Sequence, residues 1–431
     1  MKQFIKQIML VGSGENSVQT ELAKGIEFSF DMDEIVGKMS FSLPYIKFSE
    51  DESTVDITRL KKQDTVKLFY GTFDENPGEI KIETVEPQFD ENGEQIPVNG
   101  MYLVFDGAVD NIKLSKTKGD YPYNFECLGS LGIANYRHLE RGVYELNSPE
   151  EMLKTLLQLA GLQKGEIASV NTIEAIDIFP IGKIRIIDTD ADTLFIKVSG
   201  GKKLMEELQY VRKNYGLIIH QSGDGYINIM TPTQLLSSPD GINTVAWEFR
   251  LGENIFEIDY GDITSDINSV ICVGRPPVVG YAVDPVAVQL NAGSGVTPGP
   301  QNYNYISIDR RDLASEEDCE TVAKNTLLEI LRNYTVQIKT LFDPRFMVGQ
   351  AITVYDGDRY PDGKIFFIKS YTVTIAKDDV SCTIVGYSNS LTVLPENIVI
   401  ESTGIADVDV LEVQREVEDA TGWNSQTGGF T

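Results

Sequence analysis

The sequence has 431 residues, of which 42% are hydrophobic and 24% charged, and its formal net charge at pH 7 is −28. This composition is typical of a globular protein that is long enough for several domains. The acidic balance argues against binding to nucleic acid or anionic membranes, since phosphate contacts need lysine and arginine. No apolar stretch approaches the roughly 18 residues that a membrane-spanning helix requires.

Residues 1–140 are predicted to form an N-terminal β domain, either a small barrel or a sandwich. The apolar run Ile8–Val11 is too short for the core of a signal peptide, so we expect no export signal. Six β-branched or aromatic runs follow, several with the alternation of half-buried strands. They are Gly25–Phe30, Met39–Leu43, Thr65–Phe73, Gly78–Val85, Met101–Ile112 and Tyr123–Leu128.

Residues 141–240 are predicted to form an α/β insert domain. Ser148–Glu151 combines a serine cap, a proline in the first turn and a glutamate placed to close a capping box, so a helix is expected there. A second helix is predicted over Lys202–Asn214. A hairpin of Leu217–Gln221 and Tyr226–Met230 follows, with glycines in its turn.

Residues 241–395 are predicted to form a second β domain that contains one long helix, residues 315–333. Ser315 is its expected cap. The region 278–303, rich in Gly, Pro and Asn at its end, is predicted to be a long surface loop. The predicted strands are Val245–Arg250, Ile255–Tyr260, Asn268–Val273, Thr335–Leu341, Ala351–Tyr355, Ile365–Ala376 and Val380–Tyr387.

Residues 396–431 are predicted to form an acidic C-terminal helix and a polar tail. Val408, Leu411, Val413 and Val417 would line one side of the helix. The glycine-rich end cannot bury a core by itself. We therefore expect this segment to order against a partner.

The cysteines and histidines show no catalytic or metal-binding spacing. Cys127, Cys272, Cys319 and Cys382 form no CxxC motif and are predicted to be reduced, buried thiols of a chain that folds in a cytosol. His138 and His220 accompany no nucleophile elbow or metalloprotease helix. We therefore predict structural roles for both histidines.

Other polar motifs are weak matches to ligand sites. Ser199–Lys203 lacks the spacing of a phosphate-binding loop and is predicted to be a helix-entry loop. The first of three acidic clusters has Thr193 and Ser199 where a calcium-binding EF-hand loop needs Gly and Glu. These clusters are Asp188-Asp190-Asp192, Asp356-Asp358-Asp362 and Asp90-Asn92-Glu94. We predict no catalytic, cofactor-binding or metal-binding residues.

The second β domain has the most specific sequence pattern. A strand with Asn268, Val270 and Gly274 is followed by the long helix and then by a turn and strand that contain Pro344, Gly349, Ile352 and Val354. Ile271 and Cys272 interrupt the alternation of the first strand. This order resembles the baseplate hub proteins of contractile-tailed bacteriophages, of the late-control type, and the hub part of type VI secretion spike proteins.

The resemblance implies a β-rich α+β fold with two tube-like β-barrel or sandwich domains, an intervening α/β domain and a C-terminal helix. It also implies a homotrimer that adapts a sixfold tail tube to a threefold spike. Its partners would be the central spike protein, a tail tube or tube-initiator protein, and the tape-measure protein. It would be located in the virion tail baseplate, after assembly in the host cytoplasm, with no enzymatic activity and no cofactor.

Two other functions stay open at the level of sequence. A tail-associated cell-wall or polysaccharide hydrolase would need two carboxylates at catalytic spacing across a groove. A carbohydrate-binding β protein would use some of the 19 tyrosines and 19 phenylalanines as a binding surface.

Overall fold

A computed structural model describes most of the chain, and the account below is restricted to these residues. They are 4–12, 18–43, 60–82, 88–89, 95–115, 123–139, 142–146, 149–159, 184–186, 196–199, 201–215, 217–230, 247–262, 267–293, 295–311, 313–331, 334–376, 379–388, 423–424 and 429–430.

The described residues form 25 strands, four α-helices and two short 3-10 helices. The strands up to residue 240 are β1 Phe4–Val11, β2 Val18–Thr20, β3 Lys24–Asp31, β4 Lys38–Leu43, β5 Thr65–Phe73, β6 Gln88–Phe89, β7 Gln95–Ile96, β8 Tyr102–Leu114, β9 Tyr123–Gly129, β10 Val143–Leu146, β11 Ile184–Ile186, β12 Ile196–Ser199, β13 Ile218–Gln221 and β14 Ile227–Met230. The later strands are β15 Trp247–Arg250, β16 Ile255–Asp262, β17 Ser269–Val273, β18 Val279–Val283, β19 Tyr305–Asp309, β20 Tyr334–Thr340, β21 Ala351–Asp356, β22 Tyr360–Ile375, β23 Val380–Ser388, β24 Trp423–Asn424 and β25 Gly429–Phe430. The helices are α1 Pro149–Leu159, α2 Leu204–Tyr215, α3 Pro285–Ala292 and α4 Glu316–Leu331, with 3-10 turns at Ser130–Tyr136 and Pro300–Asn302.

One large sheet dominates the fold. Its 13 strands follow the order β16-β20-β23-β22-β3-β4-β9-β8-β5-β1-β2, and β21 pairs with β22 and with β15. Every pairing in it is antiparallel except that of β15 with β21. The ladder between β22 and β3, which aligns Ser370 with Asp31, joins the N-terminal strands to the C-terminal strands.

The large sheet encloses one apolar core, to which both groups of strands contribute. Alternate residues of β3 are buried, as its apolar-polar pattern predicts. The ring of Phe28 lies 5.5 Å from that of Phe342, and the ring of Phe30 lies 5.4 Å from that of Tyr371. The N-terminal and C-terminal strands therefore share one core, while the predicted domain limits at residues 140 and 240 stay predictions.

Two smaller units pack beside the large sheet. Buried leucines of α1 and α2 pack with β13 and β14 in a second core. Helix α4 covers the small sheet β18-β17-β19 in a third core. The amide of Asp318 donates to the Ser315 hydroxyl at 3.1 Å, which confirms the predicted cap of α4.

The predicted β-rich α+β class is confirmed. The three helices predicted before residue 395 are present as α1, α2 and α4, and the predicted hairpin is present as β13 and β14. All four cysteines are buried thiols, as predicted.

No helix among the described residues is long and apolar enough to cross a membrane. The predicted C-terminal helix lies outside the described residues; near the chain end, β24 pairs with β25.

Two sequence predictions of local structure are wrong. Residues 78–82 of the predicted strand Gly78–Val85 form no strand; Ile80 and Ile82 are buried, so their alternation reflects packing without a ladder. The predicted loop 278–303 contains β18 and α3, because Val279–Val283 pairs with β17. Strand β1 was not predicted, although its apolar residues pair with β5 over its full length.

Candidate functional site

The turn of the β13–β14 hairpin docks on strand β8 of the large sheet. A Cβ atom at Gly223 would overlap the carbonyl oxygen of Val104, so only glycine allows this approach. A Cβ atom at Gly225 would lie 2.9 Å from Oδ2 of Asp106. The glycines of the turn therefore serve close packing between the hairpin and β8, in addition to turn formation.

Gln221, the last residue of β13, holds this junction with its side chain. Its Oε1 accepts a hydrogen bond from the amide of Leu131 at 3.0 Å. Its Nε2 donates to the Ser130 hydroxyl at 2.7 Å and to the carbonyl oxygen of Asp106 at 3.1 Å. Gln221 is buried, so these bonds replace the water that its amide would otherwise bind.

A buried ion pair lies under the same turn. Lys67 Nζ is 3.7 Å from Asp106 Oδ2, and the two side chains are 11% and 14% exposed. Burial raises the pKa of Asp106, the nearby Lys67 ammonium opposes this shift, and the Asp224 carboxylate reinforces it. The Asp106 carboxyl group thus has one lysine and one further carboxylate as electrostatic neighbours.

Asp106 and Asp224 are two carboxyl groups that interact electrostatically, which is the kind of pair that a hydrolase would need. The hairpin backbone at Gly225 lies directly against the Asp106 carboxylate. The Asp224 carboxylate accepts hydrogen bonds from the Ser222 hydroxyl and, at 3.2 Å, from the amide of Tyr226. Both carboxyl groups therefore take part in the contact between the hairpin and β8.

A small cleft opens beside this junction, between β8, the hairpin turn and residues 342–350. Its volume is about 50 Å³, whereas pockets for small ligands measure roughly 300–1,000 Å³. Its polar wall is engaged internally: Gln350 Oε1 accepts from Trp247 Nε1 at 3.1 Å and from the amide of Met347 at 2.9 Å. These bonds hold the cleft wall in place.

The predicted structural histidines lie in different surroundings. His138 is exposed and forms an isolated bridge with Lys203, at the entry to α2. His220 is buried in β13 and is aligned with Asn228 of β14. Because one side chain is on the surface and the other in the interior, they do not share one face. Gly201 of the predicted helix-entry loop has a φ of +101° and precedes α2, as expected for such a loop.

Of the three acidic clusters, only Asp356-Asp358-Asp362 is described; the other two lie outside the described residues. Asp356 accepts hydrogen bonds from the Tyr260 hydroxyl at 2.7 Å and from the amide of Asp358 at 3.1 Å. These bonds lower the pKa of Asp356. Its carboxylate therefore closes the β21–β22 turn and ties it to β16.

One end of the large sheet is an open strand edge. Strand β16 is the last strand of its sheet and pairs, among the described residues, with β20 alone. Phe256 in this strand is 62% exposed at a bulge, and Leu251 and Leu341 near the same end are also exposed. An open strand with exposed apolar side chains is a site for association.

Sequence analysis did not identify the residues of the docking contact. Gln221, Asp106 and Lys67 lie in three strands that are distant in sequence, and nothing in their local pattern marks them as neighbours. The sequence feature that indicates this contact is the presence of glycine at three positions, Gly129, Gly223 and Gly225. At Gly129, a Cβ atom would lie 2.5 Å from Gln221 Oε1.

Comparison with known proteins reveals shared architecture. No protein-family model matches the sequence, and no curated protein sequence matches it. The tail protein from Neisseria meningitidis MC58 is similar with a TM-score of 0.58 and 12% identity, over 90% of this chain and 99% of that one. The 43 kDa tail protein of prophage MuSo2 from Shewanella oneidensis gives the same score and identity, over 92% and 100%.

A third similar structure is the lidless PdpA-VgrG complex, with a TM-score of 0.50 and 10% identity, over 90% of this chain and 65% of that one. The TM-scores of 0.50–0.58 show a common fold, and the sequence identities of 10–12% show no closer relationship. The chain therefore has, over nearly its whole length, the fold of structurally characterised phage tail proteins.

Proposed function

We propose that this chain is a structural hub protein in the baseplate of a contractile phage tail or a related injection machine. It forms a homotrimeric ring that adapts the sixfold tail tube to the threefold central spike. The observation that carries the proposal is the fold match to two tail proteins over at least 90% of this chain and 99% of each of theirs. A match over at least 90% of each of these chains supports a role that involves most of this chain.

The proposed partners are the central spike protein, a tail tube or tube-initiator protein, and the tape-measure protein. The particle would assemble in the host cytoplasm and carry the chain in its tail. The acidic charge of the chain supports a role that does not involve binding to nucleic acid, because contacts with phosphates need basic residues.

The open strand β16 supports the ring. A closed ring buries strand edges and apolar patches between subunits. Strand β16 is such an edge, and its exposed Phe256 side chain is apolar. We propose that this end of the sheet contributes to the contact between subunits. The surface is small, so other contacts in the ring must add to it.

The test is the mass and symmetry of the purified full-length chain. We expect trimers in mass photometry and threefold rings in electron micrographs. Phe256→Asp should weaken the trimer by about tenfold or more, because it puts a charge into a desolvated contact. Val296→Asp is the matched control, since Val296 is 53% exposed but lies outside the sheet.

A wild-type chain that remains monomeric, and that joins no spike or tube protein, would contradict the hub. Equal weakening of the trimer by the two substitutions would contradict the role of β16 but not the trimer itself.

We also propose that the chain has no catalytic role. Release of soluble fragments from purified cell walls by the wild type, lost in Asp106→Asn, would overturn that proposal.

A further inference from the structure

Two of the four cysteines belong to the same buried cluster. Cys272 of β17 and Cys319 of α4 have no exposed surface and pack together in the third core. Cys127 of β9 and Cys382 of β23 lie in the large sheet with three strands between them, which is about 19 Å measured along the sheet. The chain thus contains one adjacent pair and one separated pair.

The position of Cys319 over the sheet follows from the strand register. Cys272 is aligned with Gly280 of β18, and aligned residues have Cβ positions about 4.5–5.5 Å apart. A Cβ atom at Gly280 would lie 2.7 Å from the Cβ atom of Cys319. A Cβ atom at Gly274, on the same face as Cys272, would lie 2.7 Å from Sγ of Cys319.

The two glycines therefore create this proximity. Any side chain at Gly274 or Gly280 would push the first turns of α4 away from the sheet. With glycine at both positions, Cys319 packs against the small sheet beside the strand pair that carries Cys272. A disulfide needs Cβ atoms about 3.5–4.5 Å apart, so closure of the bridge requires this end of α4 to bring the pair into that range.

We propose that Cys272 and Cys319 form an oxidation-sensitive pair, which closes to an intrachain disulfide when the chain meets a peroxide. The thiolate of one cysteine attacks hydrogen peroxide and becomes a sulfenic acid, with release of one water. The thiol of the other then attacks the sulfenic sulfur, and a second water leaves. Two thiols are oxidised by two electrons, and one peroxide is reduced to two waters.

The bridge would fix α4 to the small sheet. It would enclose β18, α3 and β19 in a covalent loop, which restricts the unfolded chain more than the folded one. Hydrogen peroxide is about the size of water and reaches the pair through local opening of the first turn of α4. This inference concerns the small sheet alone and does not depend on the proposed hub function.

The test uses the wild-type, full-length chain. The native protein is treated with hydrogen peroxide, denatured, alkylated and mapped by peptide mass spectrometry. We expect a cross-linked peptide that joins Cys272 to Cys319 and lacks two hydrogen atoms, while Cys127 and Cys382 are recovered as alkylated thiols. The melting temperature should rise by roughly 5 °C and return after reduction.

The separated pair is the internal control, so no substitution that risks misfolding is needed. Recovery of all four cysteines as thiols, at a peroxide dose that oxidises free methionine added to the same sample, would overturn the inference. So would sulfinic acid at Cys272 or Cys319 without a bridge. A mixture of pairings that includes Cys127 or Cys382 would show that oxidation followed unfolding, and would also overturn it.

Discussion

Lys369 and Asp33 form an ion pair, with 2.9 Å between Nζ and Oδ2, that joins β22 to the turn after β3. Arg212 of α2 lies 3.4 Å from the other oxygen of the same carboxylate and also donates to the carbonyl oxygen of Asp33. One aspartate therefore connects the N-terminal strands, the C-terminal strands and the α/β unit.

Asp33→Ala should destabilise the chain by about 1 kcal/mol. The substitution removes two partly exposed ion pairs, each of which contributes roughly 0.2–1 kcal/mol. The free energy of unfolding in urea measures the loss, which should shrink in 1 M salt because salt screens such pairs. Lys339→Ala is the control, since its pair with Glu257 is longer, at 3.8 Å, and more exposed. Equal losses in the two variants would contradict the joining role of Asp33.

Gln221→Ala should lower the free energy of unfolding by roughly 2–3 kcal/mol, which is more than Asp33→Ala does. It leaves the amide of Leu131 and the hydroxyl of Ser130 buried without the partner that Gln221 provides. Urea unfolding measures the cost, and Gln19→Ala in β2, where the side chain is exposed, should change little. If Gln221→Ala were as mild as Gln19→Ala, the docking contact would not contribute to stability.

Gly223→Ala should lower the melting temperature, while Gly357→Ala should leave it nearly unchanged. The new methyl group at position 223 would overlap the backbone of Val104, and overpacking of this kind costs about 1–3 kcal/mol. A Cβ atom at Gly357 meets nothing within 4 Å. Thermal unfolding compares the two variants, and similar melting temperatures would show that the hairpin is free to move away from β8.

The raised pKa of Asp106 predicts a specific pH dependence of the free energy of unfolding. Burial raises its pKa above the ordinary 3.8, so the folded state binds its proton more tightly than the unfolded state does. Its contribution to stability is complete below pH 3.8 and is lost as pH rises through the folded-state pKa. The free energy of unfolding of the wild type, relative to Asp106→Asn, should therefore fall as pH rises above about 3.8.

Glu126→Gln is the control, because the contribution of Glu126 to the free energy of unfolding should change with pH in the opposite direction. Hydrogen bonds from Lys113 and Asn111 lower the pKa of Glu126 from its ordinary 4.5. Its contribution is present above that value and is lost as pH falls through the folded-state pKa. Relative to this variant, the wild type should gain stability as pH rises towards 5. Two curves of the same sign would refute the assignment for Asp106.

Much of the local structure of this protein can be predicted from its sequence alone. The alternation in Lys24–Asp31, the cap at Ser315 and the glycines of the β13–β14 turn each act within a few residues, so their pattern is readable without a fold. The acidic charge also follows from the sequence alone. The resemblance in the second β region pointed to phage tail proteins, whose fold the chain shares, while the baseplate hub family stays a proposal.

Which elements pack against each other is visible only in the folded chain. The ladder of Ser370 with Asp31, the hydrogen bonds of Gln221 and the approach of Cys319 to Gly280 each join distant parts of the chain. Backbone hydrogen bonds are the same for any pair of strands, so a strand pattern does not specify its partner. The choice depends on how whole surfaces fill a common core, and that is a property of the assembled chain.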